Sequence, residues 1–250
     1  MKPKKRIVII GANSAIAEHC ARLWATENPS EIVLVGRNQE RVERVALDLK
    51  VRAPNTTITS LQADFLDPNQ IQALVNQIYK AGNVDIALVA QGSLPTQEAC
   101  QNDLNLCREA LNINAISPVL FAEAFAARMQ KVNSGTLAVI GSVAGDRGRK
   151  SNYVYGAAKG LITRYIQGLQ HRLATTAVKV VLIKPGPTDT PMTAHLKQSG
   201  AKLAAVGHVA SEIVRGIENG QRVVYVPKKW AVIMMVIRHL PHLVFRRMDI

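Results

Sequence analysis

Tyr155 and Lys159 place a phenol and an ammonium group one helical turn apart, where both side chains lie on the same face of a helix. A phenol titrates at about pH 10, so it is a poor acid or base at neutral pH. A cation held close to it favours the phenolate and lowers its pKa. Ser142 follows a short β-branched run that predicts a buried strand. We therefore expect Tyr155 to exchange a proton with a substrate carbonyl to which Ser142 donates a hydrogen bond.

The residues after the first predicted strand, Arg6–Ile10, have the pattern of a phosphate-binding turn. Gly11 can adopt the positive φ of a tight turn, and the following helix presents its positive end and free N–H groups to an anion. The usual dinucleotide fingerprint has two further glycines, whereas this chain has Ala15 and Ala17. We expect Ala15 to crowd a pyrophosphate and Ala17 to be tolerated. The predicted cofactor contacts in this turn are Gly11, Asn13, Ser14, Ala15 and Ile16.

The second and third predicted strands are followed by residues that could contact the adenosine half of a dinucleotide. NAD-binding sheets carry a carboxylate at the end of the second strand, which accepts hydrogen bonds from the adenosine ribose. Here that strand is followed by Arg37, whose guanidinium can pair with a 2′-phosphate. Asp64 follows the third strand, where it could accept from the adenine amino group. The sequence therefore predicts NADP(H). The alternative for Arg37 is a solvated loop arginine, and the alternative for Asp64 is an aspartate that caps its turn.

Strand and helix signals alternate along the chain with little interruption. Short apolar runs predict strands at 6–10, 31–35, 57–62, 85–89, 136–140, 179–183 and 223–226. Helical periodicity fills the intervals, and the longest helices are predicted near 102–131 and 153–175. The first helix is predicted over 14–26, with Asn28 and Pro29 ending it. This order predicts an α/β fold with a doubly wound parallel sheet (Rossmann-like), about seven strands, and helices on both faces.

The 250 residues suffice for one large domain. We assign 1–227 to an NADP-binding domain and 228–250 to a basic, apolar C-terminal tail. Apolar residues make up 48% and charged residues 20%, which excludes a disordered chain. Three cysteines without metal-ligand spacing indicate reducing surroundings and predict neither a disulfide framework nor a metal site. Gly11, Asn13 and Ser14 interrupt the first apolar run, so we predict no signal peptide and a cytoplasmic protein.

With these motifs at these spacings, the chain resembles the short-chain dehydrogenase/reductase family over about residues 5–226. The resemblance implies that Tyr155 is the general acid/base, that Lys159 lowers its pKa and holds the nicotinamide ribose, and that Ser142 polarises the carbonyl. It also implies that Asn114 supports a proton-relay water beside Lys159. Further positions that match the family's cofactor motifs are Gln91, Gly92, Pro185, Gly186, Thr188 and Thr190. The implied reaction is hydride transfer between NADPH and a ketone.

Neighbouring residues of the same types offer rival assignments. Tyr153 is the other nearby phenol, but no lysine lies four residues beyond it, so we expect it to form a wall of the pocket. Asn112 is the rival to Asn114, and the serine three residues after Asn114 matches a small-residue position of the family and favours the latter. The resemblance also implies a mobile substrate lid over 192–200. We assign its histidine no chemical role, because a histidine at such a position is more often a surface residue. The expected lid residues are Met192, His195 and Leu196.

The formal net charge of +13 is concentrated at the two ends of the chain. We expect no nucleic-acid partner, because the chain has no recognition-helix pattern and only 4% aromatic residues. Residues 230–237 are apolar, with Trp230 at one edge and arginines beyond, although no uninterrupted apolar run is long enough to span a bilayer. This pattern fits peripheral contact of 229–250 with the inner face of an anionic membrane. The alternative is a helix packed on the body, closing the pocket or forming a dimer seam.

The substrate class follows from likeness alone. Members of this family with similar basic tails that contain Leu-Pro-His act on polyprenyl-phosphoryl ketopentoses, which makes a lipid-linked keto-sugar the candidate. Other small-molecule or apolar ketones stay open. Oligomers are common in the family, so we expect a homo-oligomer formed through the long helices. A catalytically silent NADP(H)-binding redox sensor is the alternative function, but such proteins usually lose the tyrosine or the lysine that this chain retains.

Overall fold

The computed structural model describes residues 5–27 and 29–248, so Asn28, which the sequence analysis places at the end of the first helix, lies outside the described residues. The strands are β1 Arg6–Ile10, β2 Glu31–Gly36, β3 Thr57–Gln62, β4 Ile86–Val89, β5 Thr136–Ile140, β6 Lys179–Pro185, β7 Thr188–Asp189, β8 Ala204–Ala205 and β9 Val223–Val226. All but β7 and β8 form one parallel sheet in the order β3-β2-β1-β4-β5-β6-β9. The predicted seven-stranded doubly wound sheet is confirmed.

Helices cover both faces of this sheet. They are α1 Ala15–Ala25, α2 Gln39–Arg52, α3 Pro68–Lys80, α4 Gln97–Asn102, α5 Leu104–Leu111, α6 Ser117–Val132, α7 Tyr153–Arg172, α8 Ala194–Gln198, α9 Val206–Glu218, α10 Lys229–His239 and α11 His242–Phe245. Side chains alternate along each strand, so Ile7 and Ile9 of β1 pack with α1, α2 and α9. Val8 and Ile10 pack with α3, α6 and α7 on the opposite face.

The strand order reverses at β1, which pairs with β2 on one side and with β4 on the other. The connection after β1 leads to β2 in one half of the sheet, and the connection after β4 leads to β5 in the other half. In open α/β sheets the resulting crevice, outside the carboxyl ends of the strands, is where ligands bind. The turn after β1 and the residues after β4 lie at this position.

The long helix predicted near 102–131 is divided in the structure. After α4 and α5, a five-residue π-helical segment, Asn112–Ile116, joins α5 to α6. The combined helix Leu104–Val132 is long and apolar enough to cross a membrane by length and composition, but 61% of its apolar 18-residue stretch is buried inside the fold. Phe121, Phe125 and Met129 are fully buried in the core. This element is therefore a core helix that supports the sheet.

The C-terminal tail packs on the body along one face of α10. Met234 is 1% exposed, and the Trp230 ring lies so close to Gly186 that a Cβ atom built there would be 2.0 Å from its Nε1. Arg147 donates from Nη1 to the carbonyl of Leu240 at 2.7 Å, and its guanidinium lies 3.8 Å from the ring centroid of Phe245. One face of the tail is therefore packed on the body, as the alternative to membrane contact expects. The opposite face exposes Val232, Met235 and Val236.

Candidate active site

A cleft of about 590 Å³ lies at the crevice. Its walls are the turn after β1, the end of β2, the loop after β3 and the residues after β4. The structure brings most of the sequence-predicted cofactor residues together here. Those that line the cleft are Gly11, Asn13, Ser14, Ala15, Ile16, Arg37, Gln91, Gly92 and Thr190.

Gly11 makes the turn after β1 possible. Its φ is +80°, and a Cβ atom at this position would lie 2.6 Å from the backbone nitrogen of Gln91. The N–H groups of Gly11 and Ala12 both donate to the carbonyl of Val35, at 2.9 and 3.0 Å, which joins the turn to the end of β2. Ser14 is the N-cap of α1, but its side chain forms no capping hydrogen bond. The turn therefore presents a hydroxyl and a helix N-terminus to the cleft.

The two alanines at the fingerprint glycine positions have different surroundings. Ala15 is the first residue of α1 and lines the cleft, so the crowding of a pyrophosphate stays a prediction. Ala17 is 0% exposed and packs in the core between α1 and the sheet. Its methyl group is accommodated without reaching the cleft.

Two guanidinium groups line the same cleft. Arg37 follows β2 and Arg41 lies in the first turn of α2, and both side chains are exposed. Asn38 caps this helix by accepting a hydrogen bond from the backbone nitrogen of Arg41 at 2.9 Å. The sequence analysis named Arg37 but missed Arg41. A second arginine four residues after the first, at a predicted helix start, was the available signal.

Asp64 caps its own turn, because its Oδ1 accepts a hydrogen bond from the backbone nitrogen of Leu66 at 2.8 Å. The carboxylate lines a neighbouring cavity with Arg37, whereas Phe65 and Leu66 line the cleft itself. The turn-capping alternative is therefore realised. A contact between Asp64 and an adenine stays a prediction.

A second pocket, of about 140 Å³, adjoins the cleft and shares Ser14, Gln91 and Gly92 with it. Ser142, Tyr155 and Lys159 line this pocket, together with four residues of the predicted Pro-Gly motif and its neighbours. Those four are Pro185, Gly186, Thr188 and Thr190. Three of the four catalytic residues predicted from the sequence therefore line one pocket beside the dinucleotide cleft, whereas Asn114 is not among its lining residues.

Glycines allow the loop that carries Ser142 to pack against the helix that carries Tyr155 and Lys159. A Cβ atom on Gly145 would lie 2.5 Å from the carbonyl carbon of Lys159, and one on Gly156 would lie 3.0 Å from the Ala144 carbonyl oxygen. The loop after β5 and the helix α7 are thus in backbone contact. This contact holds Ser142 and Tyr155 within hydrogen-bonding reach of each other.

Burial controls the pKa values of the two central groups. It raises the pKa of Tyr155 to about 12, and a hydrogen bond with Ser142 acts in the opposite direction with a smaller effect. It lowers the pKa of Lys159, which is 2% exposed, to about 8. Nζ of Lys159 lies 5.6 Å from the centroid of the Tyr155 ring and donates to the Ile140 carbonyl at 3.2 Å. From the sequence, we expect Lys159 to lower the pKa of the Tyr155 phenol. In the structure, Lys159 is not among the causes of the Tyr155 shift, and the largest cause is desolvation.

Asn114 lies in the π-helical segment and is completely buried. Its Nδ2 donates to the Ala110 carbonyl at 2.9 Å and to Ser93 Oγ at 3.2 Å, while its Oδ1 accepts from the Ser93 backbone nitrogen at 3.0 Å. The side chain thereby joins the helix to the segment after β4. Asn112, the rival, is half-buried and lies outside this network.

The residues after β4 fit a dinucleotide. Gln91 donates from Nε2 to Ser117 Oγ at 3.1 Å, but its Oε1 is buried without a partner among the described residues. A Cβ atom on Gly92 would lie 3.0 Å from Asn114 Oδ1 and 3.7 Å from Lys159 Nζ, so a glycine keeps space open there. The unpaired acceptor and the open space match a polar ligand that crosses the end of β4, as a nicotinamide dinucleotide would.

The Pro-Gly motif places two threonines at the pocket, and their hydroxyl groups have different hydrogen-bond partners. Thr188 is 4% exposed and its hydroxyl donates to the Gly186 carbonyl at 2.9 Å. Thr190 lines both the pocket and the cleft, and its hydroxyl is within 3.2 Å of Thr193 Oγ1. Thr190 is therefore better placed than Thr188 to contact a ligand that extends across both spaces.

A buried polar network ties the Ser142 loop to the end of β6. Lys184, directly before the Pro-Gly motif, forms an ion pair with Asp146, and both side chains are almost fully buried. Tyr225 donates its hydroxyl proton to the other carboxylate oxygen of Asp146 at 2.8 Å. The pairing satisfies a buried carboxylate with two partners, as burial of a charge requires.

Two expectations about the pocket walls need correction. Tyr153 is 44% exposed and accepts a hydrogen bond from Gln101 Nε2 at 3.0 Å, and it does not line the pocket. Met192 and Leu196 line it as expected, but His195 is exposed and lies outside the lining. Both errors arise because successive residues at a helix start point in different directions, which the sequence spacing did not settle.

The pocket lining includes further residues that the sequence did not predict, among them Leu94, Arg149 and Asn152. Leu94 follows the Gln91-Gly92 segment, so its place near that motif was the available signal. Arg149 and Asn152 lie on the turn between the Ser142 loop and α7, where nothing in the local pattern indicates an inward orientation. The pocket is therefore more polar than the sequence motifs alone suggested.

Comparisons with known proteins agree with this geometry. The sequence model described as short chain dehydrogenase matches residues 5–201. The "uncharacterized oxidoreductase in mprA 5'region" of Streptomyces coelicolor is 30% identical over 98% of this chain and 96% of that protein.

Two solved structures share the fold at lower identity. A short-chain dehydrogenase from Sphingobium yanoikuyae in complex with NADPH has a TM-score of 0.80 and 20% identity, covering 95% of this chain and 97% of that one. One from Burkholderia cenocepacia in complex with NADP has a TM-score of 0.82 and 17% identity, covering 98% and 97%. The match to the family model over most of the chain decides the assignment. This chain belongs to the short-chain dehydrogenase family of oxidoreductases.

Proposed function

We propose that this protein is an NADPH-dependent carbonyl reductase that interconverts a ketone and a secondary alcohol. One observation carries the proposal: Ser142, Tyr155 and Lys159 line one pocket that adjoins the cleft formed by the phosphate turn. A carbonyl in that pocket would lie beside two hydroxyl donors and next to a dinucleotide. Ser142 and Lys159 are buried, and low exposure to solvent strengthens such polar contacts.

The cleft supports NADP(H) over NAD(H). The turn after β1 would hold the pyrophosphate, and Lys159 would hold the nicotinamide ribose. Arg37 and Arg41, both exposed at the cleft, would pair with the 2′-phosphate. Glu18 is the carboxylate that shares this lining, and it forms an ion pair with Arg22. The titles of the two structural neighbours name NADPH and NADP, in agreement with this preference.

The proton chemistry is assigned to this chain's own residues. A bound NADPH would supply the hydride. Ser142 orients the carbonyl by donating to its oxygen, and Tyr155 transfers its phenol proton to that oxygen. Lys159 stabilises the phenolate that results, because a pKa of about 8 leaves the amine mostly charged at neutral pH. Asn114 holds a water that returns a proton to the site.

Tyr155→Phe tests the proposal. We expect this change to lower kcat by at least about 100- to 10,000-fold, the contribution of general acid catalysis, with little change in NADPH affinity. Turnover is measured as NADPH oxidation with a panel of ketones, and binding by NADPH fluorescence. Tyr153→Phe is the matched control, because it removes an exposed phenol two residues away, outside the pocket, and we expect it to leave kcat unchanged.

Appreciable turnover in the Tyr155→Phe protein would contradict the proposal. If the wild-type protein binds NADPH but none of the ketones in the panel causes NADPH oxidation, the result would instead favour the redox sensor. The fluorescence measurement of NADPH binding distinguishes a sensor, which binds NADPH without turnover, from a protein that does not bind NADPH.

We further propose a lipid-linked keto-sugar, or another apolar ketone, as the substrate class, and peripheral contact with the inner face of a cytoplasmic membrane. The exposed apolar face of α10 (Val232, Met235 and Val236) supports the membrane contact. So do the exposed apolar residues Leu243 and Val244 and the adjacent Arg246 and Arg247. An apolar face flanked by arginines suits an anionic headgroup region.

We also propose a homo-oligomer that forms through the long helices. Leu104 is 82% exposed, and Leu111 and Ile116 of the same combined helix are also exposed. Leu161 lies exposed on α7. Such residues gain stability when a second copy covers them. Sedimentation velocity, with Leu104→Lys as the disrupting variant, measures the oligomeric state.

A further inference from the structure

The pocket contains a cation that the proposed reaction does not use. Arg149 lines the pocket with Ser142 and Tyr155 and is half-buried. Its Nε is buried without a hydrogen-bond partner among the described residues. Asn152, three residues later on the same turn, has a buried Oδ1 that is likewise unpartnered in the described part of the chain. Buried polar atoms without partners are rare, and those that occur call for an explanation.

A structural role does not explain Arg149. Asp146, the nearby acid on the same loop, is already paired with Lys184 and Tyr225. Arg147, by comparison, is engaged by backbone carbonyls of the tail. Within residues 5–27 and 29–248, the lining of the pocket includes no Asp or Glu side chain that could pair with Arg149. Burial also lowers the pKa of Arg149, because it removes the charged guanidinium from water.

The rest of the pocket lining is largely apolar. Leu94, Val143, Met192 and Leu196 face the same space as the guanidinium. A ligand that fills the pocket would therefore have an aliphatic part against these residues and would need an anionic group to satisfy the arginine.

We infer that Arg149 binds an oxyanion of the substrate, so that the enzyme reduces ketones that also carry a carboxylate or a phosphate. The inference rests on the proposed carbonyl reductase function. The ketone oxygen lies at Ser142 and Tyr155, the oxyanion pairs with Arg149, and Asn152 accepts a hydrogen bond from a substrate hydroxyl. Arg149 is a specificity-determining residue that takes no part in the proton transfer.

The test compares charged and neutral forms of the same ketone. The substrates are straight-chain keto acids in which the ketone lies at increasing distance from the carboxylate, each paired with its methyl ester, together with the matching keto alkyl phosphates. We expect wild-type kcat/KM to favour the charged member. Arg149→Met should lower kcat/KM for that member by about 10- to 100-fold, the loss expected when a charged hydrogen bond is removed, and leave the ester nearly unchanged. The carboxylate and phosphate series identify which oxyanion the pocket prefers.

Two further variants separate recognition from general effects. Arg149→Lys keeps the charge, so we expect partial recovery of the preference for the charged member. Arg164→Met removes one positive charge from an exposed position on α7, so we expect it to leave the preference unchanged. Equal losses on acid and ester in Arg149→Met, or a loss of NADPH affinity instead of discrimination, would overturn the inference.

A binding measurement keeps this inference distinct from the proposed function. Thermal unfolding of the NADPH-loaded protein is recorded with each keto acid and with its ester. A rise in Tm with the acid in wild type but not in Arg149→Met supports oxyanion binding even if no ketone in the panel is reduced. No difference between acid and ester in Tm or in turnover would overturn the inference while leaving reductase activity to be judged from Tyr155→Phe.

Discussion

At the scale of single residues, Lys159 is a cation that the fold desolvates. Burial lowers its pKa from 10.5 to about 8. Below pH 8 the folded and unfolded chains both carry the proton, and the folded state bears the full cost of burying the charge. Between pH 8 and 10.5 the unfolded chain holds a proton that the folded chain has released, so this group makes the stability rise with pH. Lys159, to which we assign a role in the proposed reaction, thus destabilises the fold at neutral pH.

We predict that Lys159→Met raises the free energy of unfolding at pH 7 by about 2 to 3 kcal/mol, because the cost of the buried charge disappears. The gain should vanish as the pH rises past about 10, while turnover is lost at every pH. Urea unfolding at pH 7 and pH 10 measures both. Lys50→Met, at an exposed position of α2, is the control and should change neither value. A Lys159→Met protein less stable than wild type at pH 7 would contradict this account.

Under the proposed function, cofactor choice depends on Arg37 and Arg41, which line the cleft. We predict that replacing both by Gln raises the Kd for NADPH by about 10- to 100-fold, because charged hydrogen bonds to the 2′-phosphate are lost, and leaves the Kd for NADH nearly unchanged. Fluorescence titration with each nucleotide measures the two constants.

Arg44→Gln is the control for charge, since this arginine is also exposed on α2 but does not line the cleft. Equal weakening of both nucleotides in the Arg37 and Arg41 double variant would mean that these residues do not recognise the 2′-phosphate.

Sequence spacing predicted the central residues of the site better than their surroundings. Tyr155 and Lys159 share a helix face whatever the fold around them, so the pair could be predicted. The pKa of Tyr155 could not, because it depends on how completely other elements bury the phenol. Arg149 was missed for a related reason: the orientation of a turn residue follows from backbone conformation, which the sequence pattern does not reveal.

At the scale of elements, the active site depends on backbone contact between the loop after β5 and the helix α7. We predict that Gly145→Ala destabilises the protein by about 2 kcal/mol or more and lowers turnover strongly, because the added methyl group meets the Lys159 backbone. Gly168→Ala on the same helix is the control. Its methyl group meets nothing within 4 Å, so we expect stabilisation of up to about 1 kcal/mol from helix propensity. Thermal unfolding and ketone reduction are measured for both.

An active Gly145→Ala protein of wild-type stability would show that the loop and the helix are not constrained as described. Gly168→Ala identifies any effect that comes merely from adding a methyl group to a glycine in this region.

The main-sheet strands could be predicted because β-branched runs such as Arg6–Ile10 match buried parallel strands. The break in the helix near 102–131 could not, because the π-helical segment at Asn112–Ile116 accompanies side-chain bonds of Asn114 to another segment. The pair β7 and β8 was missed as well, since two residues per strand carry no periodic signal.

At the scale of the whole molecule, the proposed membrane contact rests on the net charge of +13 and the exposed face of α10. We predict that the full chain sediments with anionic phosphatidylglycerol vesicles but not with neutral phosphatidylcholine vesicles. Replacing Val232, Met235 and Val236 by Ser should abolish sedimentation, because their apolar area would no longer enter the lipid.

The matched control replaces exposed apolar residues far along the chain, Leu47 and Val51 of α2, by Ser; it should still sediment. A wild-type chain that never binds anionic vesicles would refute the membrane contact. So would a protein lacking 229–250 that binds them as well as the full chain.

The contact between Trp230 and Gly186 has an evolutionary consequence. The indole ring occupies the volume that any side chain at position 186 would need, so a side chain at 186 requires a smaller residue at 230. Among descendants of this chain, a bulkier residue at 186 should accompany a smaller one at 230. The cofactor motif and the C-terminal helix would then drift together, although 44 residues separate them along the chain.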